Sequence, residues 1–176
     1  MTFRRARYSK IDAMVLGLLA QHGQARPPVR IERIAKDLGL ELRSGDLDDV
    51  SGVLVRQGDS AIIATNSTQS VQRQRFTIAH ELGHFLLHEG ITKHVDRSYR
   101  VNFRSAESSQ ATNVEEIEAN YFAASILMPE HMLDEMSAEE ALDDDARVGE
   151  LARQFQVSRL AMSLRLANLY DEATPF

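Results

Sequence analysis

The sequence predicts an α+β fold: a small antiparallel sheet packed with a central helix and further helices, followed by a helical C-terminal tail. Three observations predict it. Phe76, Ile78, Ala79, Leu82, Phe85, Leu86 and Leu87 make a nearly continuous apolar helix, interrupted only by His, Glu and Gly, which belongs inside a protein. Val53-Leu54-Val55 and Ala61-Ile62-Ile63-Ala64 are short β-prone runs around Gly58-Asp59-Ser60 and form a hairpin. A second apolar helix over 115–128 starts with acids, where the helix dipole favours them, and stops at Pro129.

The remaining elements follow in chain order. Residues 10–21 form an amphipathic helix; the apolar stretch Ile11 to Ala20 is broken by Asp12 and is too short for a membrane span. A turn over Gly23 to Pro28 leads to a helix from Val29 to Leu40, which has helical periodicity, a Gly39 stop and a packing role. The hairpin comes next, and an exposed strand there would offer an edge on which an extended peptide can add. Residues 89–114 read as mostly irregular, a candidate lid carrying Arg97, Arg100 and Arg104. The tail, Val148 to Leu166, resembles a helix-turn-helix with Ser158 capping its second helix. We place the first unit at 1–135 and the tail at 136–176, packed on the same body.

Composition bounds the function classes. The chain has 176 residues and 43% hydrophobic content, enough for one ordinary core. Absence of cysteine excludes disulfides and thiolate metal sites and fits a cytoplasmic protein. The net charge of −6, with seven acids and no Lys or Arg from Asp134 to Asp145, argues against DNA as the partner despite Arg153, Arg159 and Arg165 in the tail. No membrane partner is expected.

The chemistry sits in His80-Glu81-Leu82-Gly83-His84, an HExxH box. Histidines four apart stack on one helix face and can grip one metal ion, zinc by choice of ligand type. Glu81, one step round the helix, is the expected catalytic base that takes a proton from water. A catalytic zinc needs a third protein ligand, and Glu116 on the second helix is the candidate. Asn120, four residues on, is placed to hydrogen-bond the far nitrogen of one histidine and fix its tautomer. Glu115 and Glu118 stay open as alternatives, and Glu118 otherwise reads as a solvated acid at the helix start. His88 reads as packing or as a hydrogen-bond partner of the site, and His22, His94 and His131 as ordinary residues. The oxyanion helper has no motif; Tyr121 or a loop arginine would suit.

Two segments carry a family resemblance: Arg75-Phe76-Thr77-Ile78-Ala79-His80-Glu81-Leu82-Gly83-His84-Phe85-Leu86-Leu87-His88, and Glu116-Ile117-Glu118-Ala119-Asn120-Tyr121-Phe122-Ala123-Ala124-Ser125-Ile126-Leu127-Met128-Pro129. They resemble the ImmA/IrrE family of gluzincin-like metallopeptidases over about residues 27–135. The resemblance implies a zinc endopeptidase with His80, His84 and Glu116 as metal ligands and Glu81 as catalytic glutamate. It also implies a protein substrate, such as a helix-turn-helix repressor or antitoxin, and a part in transcription regulation and stress response. The alternative class is a DNA-binding or protein-binding regulator that keeps the zinc fold as a scaffold without turnover. Oligomeric state is not legible in the sequence.

Overall fold

The computed structural model describes residues 6–57, 60–90, 92–96 and 111–171. Two helices, α1 (Tyr8–Gln21) and α2 (Ile31–Asp37), precede a strand β1 (Leu40–Gly45) and the expected hairpin of β2 (Gly52–Gln57) and β3 (Ser60–Asn66). The HExxH helix is α3 (Val71–Leu87), followed by a short strand β4 (Lys93–Asp96) and the second motif helix α4 (Ala111–Leu127). The chain closes with α5 (Glu130–Asp134), a 3-10 turn over Ala138–Ala141, α6 (Asp145–Phe155) and α7 (Arg159–Tyr170).

The α+β class is as expected, but the sheet is mixed, in the order β1-β3-β2-β4. β2 pairs antiparallel with both β3 and β4, whereas β1 runs parallel to β3. Neither outer strand stands out in the sequence. β1 reads Leu-Glu-Leu-Arg-Ser-Gly, with one short alternation of covered Leu40 and Leu42 against exposed Glu41 and Arg43, β4 reads Lys-His-Val-Asp, and both are edge strands among the described residues, held by backbone pairing to their neighbours.

One hydrophobic cluster joins these layers. Ile11 and Val15 of α1, Ile31 and Ile34 of α2, Leu54 and Ile63 of the sheet, Leu82 of α3 and Phe122, Ile126 and Leu127 of α4 all belong to it. The tail contributes Leu151, Phe155, Met162 and Leu166. Two polar contacts reinforce that junction, where Arg165 Nε donates to Met128 O at 3.2 Å and Tyr170 Oη donates to Asp134 Oδ1 at 2.6 Å. Both tail helices are capped as their sequences require: Asp144 accepts from Ala146 and Arg147, and Ser158 accepts from Ala161 at 3.1 Å.

What matters for the site is how closely α3 approaches its neighbours. Its first turn is capped by Ser70, which accepts from the Arg73 amide at 3.2 Å. Below the helix, a Cβ on Gly52 would overlap Thr77 Cγ2 outright and lie 3.6 Å from Glu81 Oε1. Above it, a Cβ on Gly83 would sit 3.2 Å from Ala119 Cα and 3.1 Å from Phe122 Cδ1. Two glycines therefore let α3 settle between the sheet and α4, and that settling brings the histidine face within reach of α4 carboxylates. Arg75, buried in the same helix, ties it to α2 through both oxygens of Glu32 at 3.1 Å and to Val29 O at 2.8 Å.

Candidate metal centre

His80, Glu81 and His84 are all but completely buried, with relative exposures of 1%, 0% and 0%. The two imidazoles turn their Nε2 atoms toward each other at 3.1 Å, and Glu116 reaches the same point from α4. Glu116 Oε2 lies 3.4 Å from His80 Nε2, and its Oε1 lies 3.2 Å from His84 Nε2. A tetrahedral zinc site with bonds of about 2.0–2.1 Å has ligand-to-ligand edges of about 3.3 Å, so this spacing fits the ion without rearrangement.

Protonation strengthens the fit. Asn120 Oδ1 lies 2.8 Å from His80 Nδ1 and accepts its proton, leaving the Nε2 lone pair pointing inward. His84 Nδ1 is 3.0 Å from His88 Nδ1, and His88 Nε2 is 3.1 Å from Glu118 Oε2. A carboxylate only accepts, so His88 donates from Nε2, its Nδ1 accepts from His84, and His84 Nε2 is also left as a lone pair. Two buried lone pairs and a carboxylate converging on one point repel one another unless a cation lies between them. The donor set is of nitrogen and carboxylate oxygen, which suits zinc.

A fourth group completes the cluster and was missed in the sequence. His94, taken there as ordinary, lies on β4 opposite Leu54 of β2 and joins His80, His84 and Glu116 in a set of potential ligand atoms within 4.8 Å of one another. Its Nδ1 lies 3.0 Å and 3.1 Å from the two oxygens of Glu81, and its Nε2 lies 2.9 Å from Glu116 Oε1. Burial alone would lower the His94 pKa, but the bonds to Glu116 and Glu81 outweigh it and raise it to about 10. For His84, burial dominates and lowers it to about 4. No spacing rule points to His94, because it arrives by strand pairing from outside both motifs.

Two other residues depart from the sequence reading. Glu118, read as a solvated acid, is 1% exposed and clamped by Arg7, whose Nε and Nη2 reach its two oxygens at 2.9 and 2.6 Å. The reason is tertiary: the chain just before α1 covers that face of α4. Tyr121 hydrogen-bonds Asp12 at 2.9 Å and stacks edge-on against Tyr8, on the α1 side of α4. Arg97, Arg100 and Arg104 lie outside the described residues.

In the tail, Arg165 is buried and Arg159 Nη2 donates to Asp145 O at 2.6 Å, so two of the three arginines considered for DNA are engaged within the fold. Among the described residues, no helix is long and apolar enough to cross a membrane.

Comparison with known proteins shows the family and the fold. Residues 35–167 match the model of a peptidase family described as the IrrE N-terminal-like domain. The radiation response metalloprotease IrrE of Deinococcus radiodurans is 34% identical over 99 residues, which cover 55% of this chain and 28% of that protein. The matched part is thus well under half of that relative's length. A solved Mycobacterium tuberculosis transcriptional regulator is similar in fold, with a TM-score of 0.61 at 18% identity over 90% of this chain and 46% of that one.

Proposed function

The chain belongs to the IrrE N-terminal-like peptidase family, and on that premise we propose that it is a zinc-dependent endopeptidase cleaving a specific intracellular protein. The observation that carries the reading is the convergence of His80 Nε2, His84 Nε2 and Glu116 at 3.1–3.4 Å, with Glu81 buried beside them. His80, His84 and Glu116 hold the ion, and Asn120 orients His80. A zinc ion held there supplies Lewis-acid polarisation of a peptide carbonyl and lowers the pKa of water toward neutrality.

The chain's own groups do the rest. Glu81 takes the proton of the attacking water and returns it to the leaving amine. His94 Nδ1, 3.0 Å from Glu81 Oε2, holds that carboxylate in place. His94 Nε2 lies 2.9 Å from Glu116 Oε1 and donates to that carboxylate from the sheet side of the site. The outer edge of β4, which carries His94, is where an extended substrate backbone would add. Residues 1–135 form the metallopeptidase domain and 136–176 a helical tail packed on it, a reading supported by the shared core.

For the substrate class we favour a helix-turn-helix repressor or antitoxin, with a role in transcription regulation or stress response in the cytoplasm. Support comes from the family and from an acidic, cysteine-free composition that suits neither nucleic acid nor an oxidising compartment. The test is incubation with zinc and a small helix-turn-helix protein encoded beside it. Wild type is expected to cleave it, and Glu81→Gln is expected to retain zinc and lose cleavage. Equal loss of the partner with Glu81→Gln would move the reading to a non-catalytic regulator.

A further inference from the structure

The HExxH helix ends in an arrangement that reaches well outside the metal cluster. Arg7, the residue before α1, grips Glu118 with its backbone amide at 2.9 Å, its Nε at 2.9 Å and its Nη2 at 2.6 Å. The same Nη2 donates to Leu87 O at 3.2 Å in the last turn of α3. Glu118 accepts from His88 Nε2 at 3.1 Å, and His88 Nδ1 faces His84 Nδ1 at 3.0 Å. His88, Glu118 and His84 are 5%, 1% and 0% exposed, so water does not compete along this line.

We propose that Arg7, Glu118 and His88 are positioning residues that fix the tautomer of His84 and so set the affinity of the metal centre. This rests on the reading of His84 as a metal ligand.

The logic runs from charge to proton position. The Arg7 guanidinium keeps Glu118 anionic in a buried place, and an anionic carboxylate demands the His88 proton at Nε2. His88 Nδ1 is thereby an acceptor and takes the Nδ1 proton of His84. The reverse arrangement, with a proton on His84 Nε2, would aim an N–H at the centre of the cluster and exclude a cation. His80 has its own, shorter device in Asn120, so the two histidines are oriented by different partners. His88 occupies the C-cap of α3 with a non-helical backbone, φ −127° and ψ 76°, rather than continuing the helix. The third histidine of the ladder at 80, 84 and 88 is thus a partner of a ligand rather than a ligand.

The experiment measures zinc affinity by competition with a chromogenic chelator, together with the His84 tautomer from long-range 15N–1H correlations of the metal-free chain. His88→Phe fills the site without an acceptor and is expected to weaken zinc about 10–100-fold. His88→Asn places an amide oxygen near the position of Nδ1 and is expected to recover most of that loss, although it packs less well. Arg7→Ala, at a partly exposed residue, is expected to weaken zinc in the same direction by a smaller factor, with circular dichroism reporting that the fold persists. In the wild type, His84 is expected as the Nδ1–H tautomer, shifting to a mixture in His88→Phe.

Zinc affinity of His88→Phe within about twofold of wild type would overturn the proposal, as would His88→Asn binding no better than His88→Phe. A wild-type chain that binds no zinc would instead fail the metal-centre reading itself, and the tautomer measurement would still decide whether the relay exists.

Discussion

Gly52→Ala is the sharpest single test of how the sheet supports the site. A methyl at this position on β2 would overlap Thr77 Cγ2 and would meet Ala64 O at 3.4 Å and Glu81 Oε1 at 3.6 Å. Thr77 is buried on the underside of α3 and β-branched, so turning its methyl away is costly. Overpacking of this kind costs about 1–3 kcal/mol, and the overlap places Gly52→Ala at the upper end. The substitution also stiffens the unfolded chain, which offsets about 0.4–1 kcal/mol. The expected net loss is about 2 kcal/mol, or about 4–8 °C in Tm for a chain of this size. Urea unfolding followed by circular dichroism reads it as a midpoint lowered by about 1 M with an unchanged slope. Thr77→Ser removes the offending methyl. Alone it should cost about 0.8 kcal/mol, but in the Gly52→Ala background it should restore stability, a coupling of about 2 kcal/mol. Gly52→Ala within about 0.5 kcal/mol of wild type, or a loss that Thr77→Ser leaves unchanged, would refute the account of why this strand needs glycine.

Other consequences follow from the same geometry. Glu81→Gln should lower kcat of peptide cleavage by about 10²–10⁴-fold while zinc stoichiometry by elemental analysis stays at the wild-type value. Asn120→Ala should weaken zinc about 10–100-fold through His80, measured by chelator competition, with little change in fold by circular dichroism. Zinc at about 100 times its Kd should stabilise the metal-free chain by about 2.7 kcal/mol in thermal unfolding, and Glu116→Gln should remove most of that gain. Ser158→Ala should cost about 1 kcal/mol from loss of the α7 cap, read by urea titration, without altering zinc affinity.

Much of the site was legible because its signals are local. Histidines four apart on an apolar helix must share a face, and Glu116 and Asn120 four apart on a second apolar helix must share another. Burial of the histidine face calls for polar partners, since imidazole cannot enter a core without them. His94 and Glu118 were misread for the opposite reason. Nothing near His94 in the chain marks it, because its position is set by backbone pairing of β4 to β2. Glu118 looks like a surface acid until Arg7, far away in sequence, closes over it. The same holds for β1, whose parallel partner β3 lies beyond another strand.

By itself, then, the sequence determined the two motif helices, the hairpin between the first helices and the HExxH box, and the candidate ligands His80, His84 and Glu116, because period and spacing act within a few turns of chain. The tertiary structure decided which ring nitrogens and carboxylates converge and which distant groups join the cluster. Those depend on ångström-scale approach between elements far apart in sequence, set here by Gly52 and Gly83 where α3 meets the sheet and α4.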